Sequence, residues 1–322
     1  MNNPGTQLKR AILSLNIFII IVSFSLSSSI SLLSLQPSFA QAQNQTNIIQ
    51  NDTDNYKFYI PPTISKGAQE ILKNLIMNAP SFEVPDPDDL KGWRKMNQEA
   101  SSMVIQMSQP IVDSYQPNIT AAKLGDIDVL DIKPKDWRDN RKVLVYVHGG
   151  GYTLLGANST TVFAATVANS TGLRVISVDY SLAPLSKWNQ TTGEVVSVIQ
   201  ALQDQEGYSL DDIAMFGDSA GGGLVAGSVL KMQDEGLGMP AALVLWSPWT
   251  DVTGVGDTYF TLRDDDPFLN VALDVSMASV YANLSDQKNP YVSPVYGNFN
   301  NGFPPVLIQV GTKDGYLSDS VR

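Results

Sequence analysis

From Pro117 onward the chain alternates between short, almost wholly apolar runs and stretches of helical length. Residues 143–147 are a continuous apolar run, as a strand buried on both faces should be, and 173–178, 213–216, 242–246 and 306–310 are similar, mostly apolar runs. Residues 127–132 instead alternate apolar with polar, the pattern of an outer strand. Between them, residues 160–171, 192–203, 222–234 and 267–283 have helical length. This cadence predicts an α/β fold, with a doubly wound, mostly parallel sheet, right-handed crossovers and helices on both faces. Ligands in such sheets bind at the carboxyl ends of the strands.

Upstream, the spacing predicts a helix from Thr63, with Ile64, Ile71, Leu72, Leu75 and Ile76 on one side, ended by the proline-bounded segment 80–87. A second helix begins near Asp88, a suitable N-cap, and aligns Trp93, Met96, Ala100, Met103, Val104 and Met107. Two readings of that stripe stay open: a core-facing surface, or a lid whose adaptable thioethers line an apolar pocket. Further upstream, Lys9 and Arg10 precede an apolar stretch over residues 11–35, followed by Ser38 and Ala40 at the spacing of a signal-peptidase site. Residues 1–40 are therefore expected to be an export signal. The stretch exceeds the usual length of a signal core, so an uncleaved membrane anchor is the alternative. Residues 41–61, rich in Asn and Gln, read as a flexible spacer, which leaves 62–322 for one domain with helices over about 62–110 in front of the sheet.

Composition narrows the chemistry. The net charge is −11 and the leader carries two of the cations, so the exported part repels phosphate backbones; nucleic acid is not an expected partner. There is no cysteine and one histidine, so neither disulfides nor a His/Cys metal cluster can be built. The run Asp264-Asp265-Asp266 reads as a solvated turn and helix start rather than a metal site. No cofactor is implied. Seven Asn-x-Ser/Thr sequons, at Asn44, Asn51, Asn118, Asn158, Asn169, Asn189 and Asn283, are either glycan acceptors of an exported chain or chance in an Asn-rich composition.

Two glycine-rich runs each follow a predicted strand. Gly217-Asp218-Ser219-Ala220-Gly221 lies between the strand at 213–216 and a helix start, the context in which a serine nucleophile sits on a sharp strand-to-helix turn. Gly217 and Gly221 permit the tight turn and close helix–strand packing. His148-Gly149-Gly150-Gly151 offers consecutive amides with no side chains in the way. The amides of Gly149 and Gly150, with that of Ala220, are the expected oxyanion hole. The run lacks the Lys and Ser/Thr of a phosphate-binding loop, which is the rival reading. His148 is expected to shape this loop rather than act as the base, and Asp218 to brace the turn.

These runs resemble those of α/β-hydrolases of the hormone-sensitive-lipase-like esterase family, marked by HGGG and GDSAG. The resemblance extends to Asp179-Tyr180-Ser181-Leu182-Ala183-Pro184, with Ser181 where Arg is usual, and to Ser247-Pro248-Trp249-Thr250-Asp251. It also covers Asp266-Pro267-Phe268-Leu269, Tyr291-Val292-Ser293-Pro294 and the approach Phe303-Pro304-Pro305 to the last strand. The resemblance implies a Ser-acid-His triad, an N-terminal helical cap, short- to medium-chain acyl esters or lactones as substrates, and water as the second substrate. Tyr152, Trp249 and the Met-bearing helix are then expected to line the acyl pocket. The acid falls at Asp314, with Asp319 as the competing choice. The triad order puts the histidine after the acid, where eight residues remain and none is histidine. Two explanations are open. One is an ordinary esterase whose sequence stops before the last strand, helix and base; the other is an inactive member that holds a small apolar ligand. Losing the base of a serine hydrolase costs on the order of 10⁶ in rate, so these 322 residues alone are expected to be nearly inert.

Overall fold

The computed structural model describes residues 60–77, 84–300 and 302–322. The expected export segment at 1–40 and nearly all of the spacer at 41–61 lie outside them. Seven strands form one sheet: β1 (Asn118–Leu124), β2 (Ile127–Lys133), β3 (Val143–Val147), β4 (Arg174–Val178), β5 (Ile213–Asp218), β6 (Ala242–Trp246) and β7 (Val306–Gln309). Their order is β1-β2-β4-β3-β5-β6-β7. β4, β3, β5, β6 and β7 are parallel, while β1–β2 is an antiparallel hairpin and β2 also pairs antiparallel with β4.

The expected outer strand at 127–132 is thus second from the edge. β1, which lies outside it, had no signal, because six of its seven residues face solvent and show no alternation. The hairpin turn is Gly125-Asp126, both at positive φ (57° and 64°), the twist-matched arrangement for a two-residue connection.

Alternation along the central strands divides the core. Val145 and Val147 of β3 pack with Ile176, Val178 and Met215 against α4 (Trp188–Asp204) and α5 (Ala220–Asp234). Tyr146, Val175 and Phe216 point the other way, toward α3 (Thr161–Thr171) and the end of α2 (Leu90–Tyr115). Each fully buried Val, Ile or Phe contributes about 1.5–3 kcal/mol, so the two faces anchor the sheet. α1 (Lys66–Met77) is the first expected helix.

α2 departs from expectation in three ways. Its N-cap is Asp89, whose Oδ1 accepts from Gly92 N at 3.0 Å, not Asp88. It runs through Pro110 to Tyr115, past the expected limit near 110. Its apolar stripe is core only at the ends: Trp93, Met96, Ile111 and Val112 are buried, whereas Met103 is exposed. Three further helices are α6 (Thr258–Thr261), α7 (Val271–Tyr281) and α8 (Leu317–Val321). α7 starts at the N-cap Asn270 rather than at Pro267, because Asn270 Oδ1 accepts from Leu273 N. Among the described residues no helix is long and apolar enough to cross a membrane.

Candidate active site

β3 and β5 are parallel neighbours with Val147 opposite Gly217, so the two glycine-rich runs leave the sheet side by side at its carboxyl end. Ser219, between β5 and α5, has φ 51° and ψ −124°. A side chain held there costs about 1–3 kcal/mol, which the surroundings must offset. Ser219 N donates to Trp246 O at 2.9 Å, and its carbonyl accepts from Trp249 N at 2.9 Å and Gly223 N at 3.2 Å. Glycine is required on both sides. A Cβ on Gly217 would lie 2.6 Å from the Gly221 carbonyl, and one on Gly221 would fall onto the carbonyls of Val147 and His148. The Ser219 side chain makes no capping bond to the helix it opens, and the residue is partly exposed.

Asp218 joins the two runs. Its Oδ1 accepts from Tyr146 Oη at 2.6 Å and from Gly149 N at 3.1 Å. Burial pushes its pKa up, and these two hydrogen bonds oppose that rise. The Gly149 bond corrects the expected oxyanion hole: that amide is already committed to a carboxylate. The amides of Gly150, Gly151 and Ala220 have no acceptor among the described residues. Gly150 (φ 110°) and Gly151 (φ 62°) occupy the left-handed region, and the Gly150 carbonyl is turned back to accept from Thr153 N and Leu154 N.

His148 is sealed. It is 0% exposed, its ring stacks on Tyr180 at 4.1 Å, and its Nδ1 lies 2.7 Å from Gly149 O. A carbonyl partner requires the proton on Nδ1, which leaves Nε2 bare and without a partner. Burial pushes its pKa down to about 4, so the ring is neutral. Tyr180 Oη donates to His148 O and Ala183 N donates to Tyr152 O, so residues 179–184 buttress the glycine run. Asn97 of α2 accepts from Leu155 N at 2.6 Å just beyond it.

Asp314 follows β7, two strands from Ser219 on the same edge. Its Oδ1 accepts from Tyr316 N at 2.8 Å. Ser247, at the end of β6, also hydrogen-bonds to it, and burial raises its pKa. Asp319 lies inside α8, where Tyr259 Oη donates to its Oδ2 while Oδ1 has no partner. Burial, then the charge of Asp251, pushes Asp319 up to about 7. Asp266, read as part of a solvated turn, is held instead as a brace: it accepts from Gly315 N at 2.8 Å, next to Asp314. No metal-binding group of acids or histidine occurs among the described residues.

Above the glycine run, Tyr152 stacks on Tyr281 at 3.7 Å and lies 5.7 Å from Trp249. Met277 of α7 fills the space that a side chain on Gly151 would need. The Tyr152 hydroxyl and the Trp249 indole N–H are buried without partners. Tyr146, Asn97 and Met277 escaped sequence reasoning, and Tyr180 and Ser247 entered it only as residues of recurring segments, because their roles depend on contacts between distant segments.

The model of the α/β hydrolase fold family matches residues 144–322. The chain belongs to that family. It is 30% identical over 202 residues to an acetyl-hydrolase of Streptomyces hygroscopicus, covering 62% of this chain and 67% of the relative. To an esterase of Acinetobacter venetianus it is 31% identical, covering 56% of this chain and 59% of that one. The chain thus spans only about three fifths of the length of the second relative. An esterase of the bacterial hormone-sensitive lipase family superposes with a TM-score of 0.68 at 28% identity, covering 78% of this chain and 80% of that one. Within the α/β hydrolases, then, this chain is of the hormone-sensitive-lipase-like esterase type.

Proposed function

We propose that the protein is an exported serine carboxylesterase acting on short- to medium-chain acyl esters or lactones. The observation that carries this is Ser219, held at a strained backbone angle beside the three unoccupied amides of Gly150, Gly151 and Ala220. Ser219 Oγ attacks the acyl carbonyl, and the three amides hold the oxyanion. The alcohol leaves with a proton from an imidazole oriented by Asp314, and water then hydrolyses the acyl-enzyme. Gly151 takes the place first assigned to Gly149. Tyr152, Tyr281, Trp249 and Met277 close the acyl side, which favours small acyl groups. Relatives named acetyl-hydrolase and esterase support the reading, as does the likeness to the esterase EstE5 soaked with p-nitrophenyl butyrate (TM-score 0.69, 28% identity).

The imidazole is not His148, which is neutral and sealed, and the 322 residues contain no other. By themselves they are therefore expected to hydrolyse esters only about 10³–10⁴-fold above water. Added imidazole should raise the Ser219-dependent part of p-nitrophenyl butyrate hydrolysis, and a phosphonate should label Ser219. If both wild type and Ser219→Ala hydrolyse the ester equally, with and without imidazole, and no label attaches, the esterase reading is lost. A tightly bound small apolar ligand would then favour a binding protein.

A further inference from the structure

We propose that the exposed sequon asparagines Asn118, Asn158, Asn169, Asn189 and Asn283 are N-glycosylated, an inference that rests on the export reading above. The chain has 21 asparagines, and at its frequency of Ser and Thr about three sequons would arise by chance, yet there are seven. Six of the seven carry Thr in the third position, although the chain has 31 serines and 17 threonines. None has Pro in the middle. The bias is toward the acceptor motif, not toward asparagine.

The structure separates the two kinds of asparagine. Outside the sequons, Asn97, Asn140, Asn270, Asn289 and Asn298 each accept a backbone N–H through Oδ1. Their carboxamides are used to hold the fold. The five described sequon asparagines are all exposed, and none of their side chains bonds a backbone group. Asn118 makes a single side-chain contact, accepting from the hydroxyl of its own sequon residue Thr120 at 3.4 Å. A residue left free of structural duty at five of five such positions is available for modification without loss of a fold contact.

The asparagines themselves stand at open positions, although Thr160 and Thr191 of two sequons are buried in the finished fold. Asn118 begins the edge strand β1, Asn158 and Asn169 flank and end α3, and Asn189 and Asn283 share the lining of a groove of about 260 Å³ with Trp188 and Asp286. Glycans on those last two would screen Leu185 and Leu284, which are 62% and 86% exposed. The chemistry is a group transfer from a lipid-phosphate-linked oligosaccharide by the host's transferase. The carboxamide nitrogen attacks the anomeric carbon, the N–C bond forms as the C–O bond to phosphate breaks, the lipid phosphate leaves with the electron pair, and the amide proton goes to base.

The test is to produce the full chain with its own leader in a secretory host that glycosylates Asn-x-Thr, and to map its peptides by mass spectrometry. One discrete mass increment is expected on each of the five peptides, and none on those bearing Asn140 or Asn270. Thr120→Ala and Thr171→Ala should each erase one increment, whereas Thr120→Ser and Thr171→Ser keep it. Thr120 and Thr171 are exposed; Thr171 also bonds Val167 O and Leu173 N at the end of α3, so the Ser variants, which keep that hydroxyl, are the controls for folding. A parallel sample carries a proven secretion leader in place of residues 1–40. A chain exported by that leader and bare at all five asparagines overturns the glycosylation proposal. A chain glycosylated with that leader but retained with its own supports glycosylation and overturns only the export reading.

Discussion

At the end of β5, Ser219 is fixed by main chain: three backbone hydrogen bonds and two glycines into which no side chain fits. Two strands away, Asp314 has two backbone bonds, from its own N to Gly311 O and from Leu317 N to its carbonyl, and side chains supply the rest. Ser247 bonds it, Asp266 holds the neighbouring Gly315 N, and Lys313 pairs with Asp265. β5 is buried along most of its length, whereas β7 exposes Val306, Leu307 and Ile308. The position of Ser219 is therefore a property of packing, hard to perturb by degrees. The position of Asp314 also draws on individual polar contacts, each removable alone.

That contrast can be broken at several points. Gly221→Ala should have the largest effect, since its methyl would overlap two carbonyls of the glycine run. We expect a loss of about 3–5 kcal/mol, read as a Tm drop of roughly 6–15 °C. Asp218→Ala strips the acceptor from Tyr146 Oη and Gly149 N. It should cost about 1–3 kcal/mol and weaken phosphonate labelling of Ser219 as the two runs lose register. Asp266→Ala should leave Tm within about 3 °C of wild type, yet lower imidazole-rescued turnover several-fold by loosening the Asp314 loop. A Tm loss as deep as that of Gly221→Ala would erase the distinction between the two loops.

The smallest effect concerns pH. Asp319 titrates near 7 in the fold but near 3.9 when unfolded. Between those values the folded state binds more protons, so this group makes stability fall as pH rises from about 4 to about 7 and adds no further slope above. Asp319→Asn, which keeps an acceptor for Tyr259, should flatten that part of a Tm-against-pH curve. An unchanged slope would show that Asp319 is ionised in the fold.

Much of the Ser219 side was legible because steric exclusion is local. A glycine that must admit a helix against a strand leaves its mark two residues from the serine, as at Gly217 and Gly221. The inner parallel strands were equally plain, since burial on both faces makes them mostly apolar, and β7 shared that composition although its apolar residues are exposed. What was lost depended on partners distant in sequence. Gly149 looked as available as Gly150 until the fold brought Asp218 to its amide. Asp266 looked like a solvated acid until Gly315 came within reach. β1 carried no pattern because its polar, exposed residues are ordered only by pairing with β2.

The bond from Asn97 to Leu155 N has a mechanical meaning. α2 reaches over the outside of the fold, and this bond fastens it to the chain four residues beyond Gly151. The helix therefore cannot tilt outward to admit a bulky guest without tugging the amides proposed to hold the oxyanion. On the proposed esterase reading, entry and chemistry share one tether, so a guest that props the helix open would also detune the site it has entered.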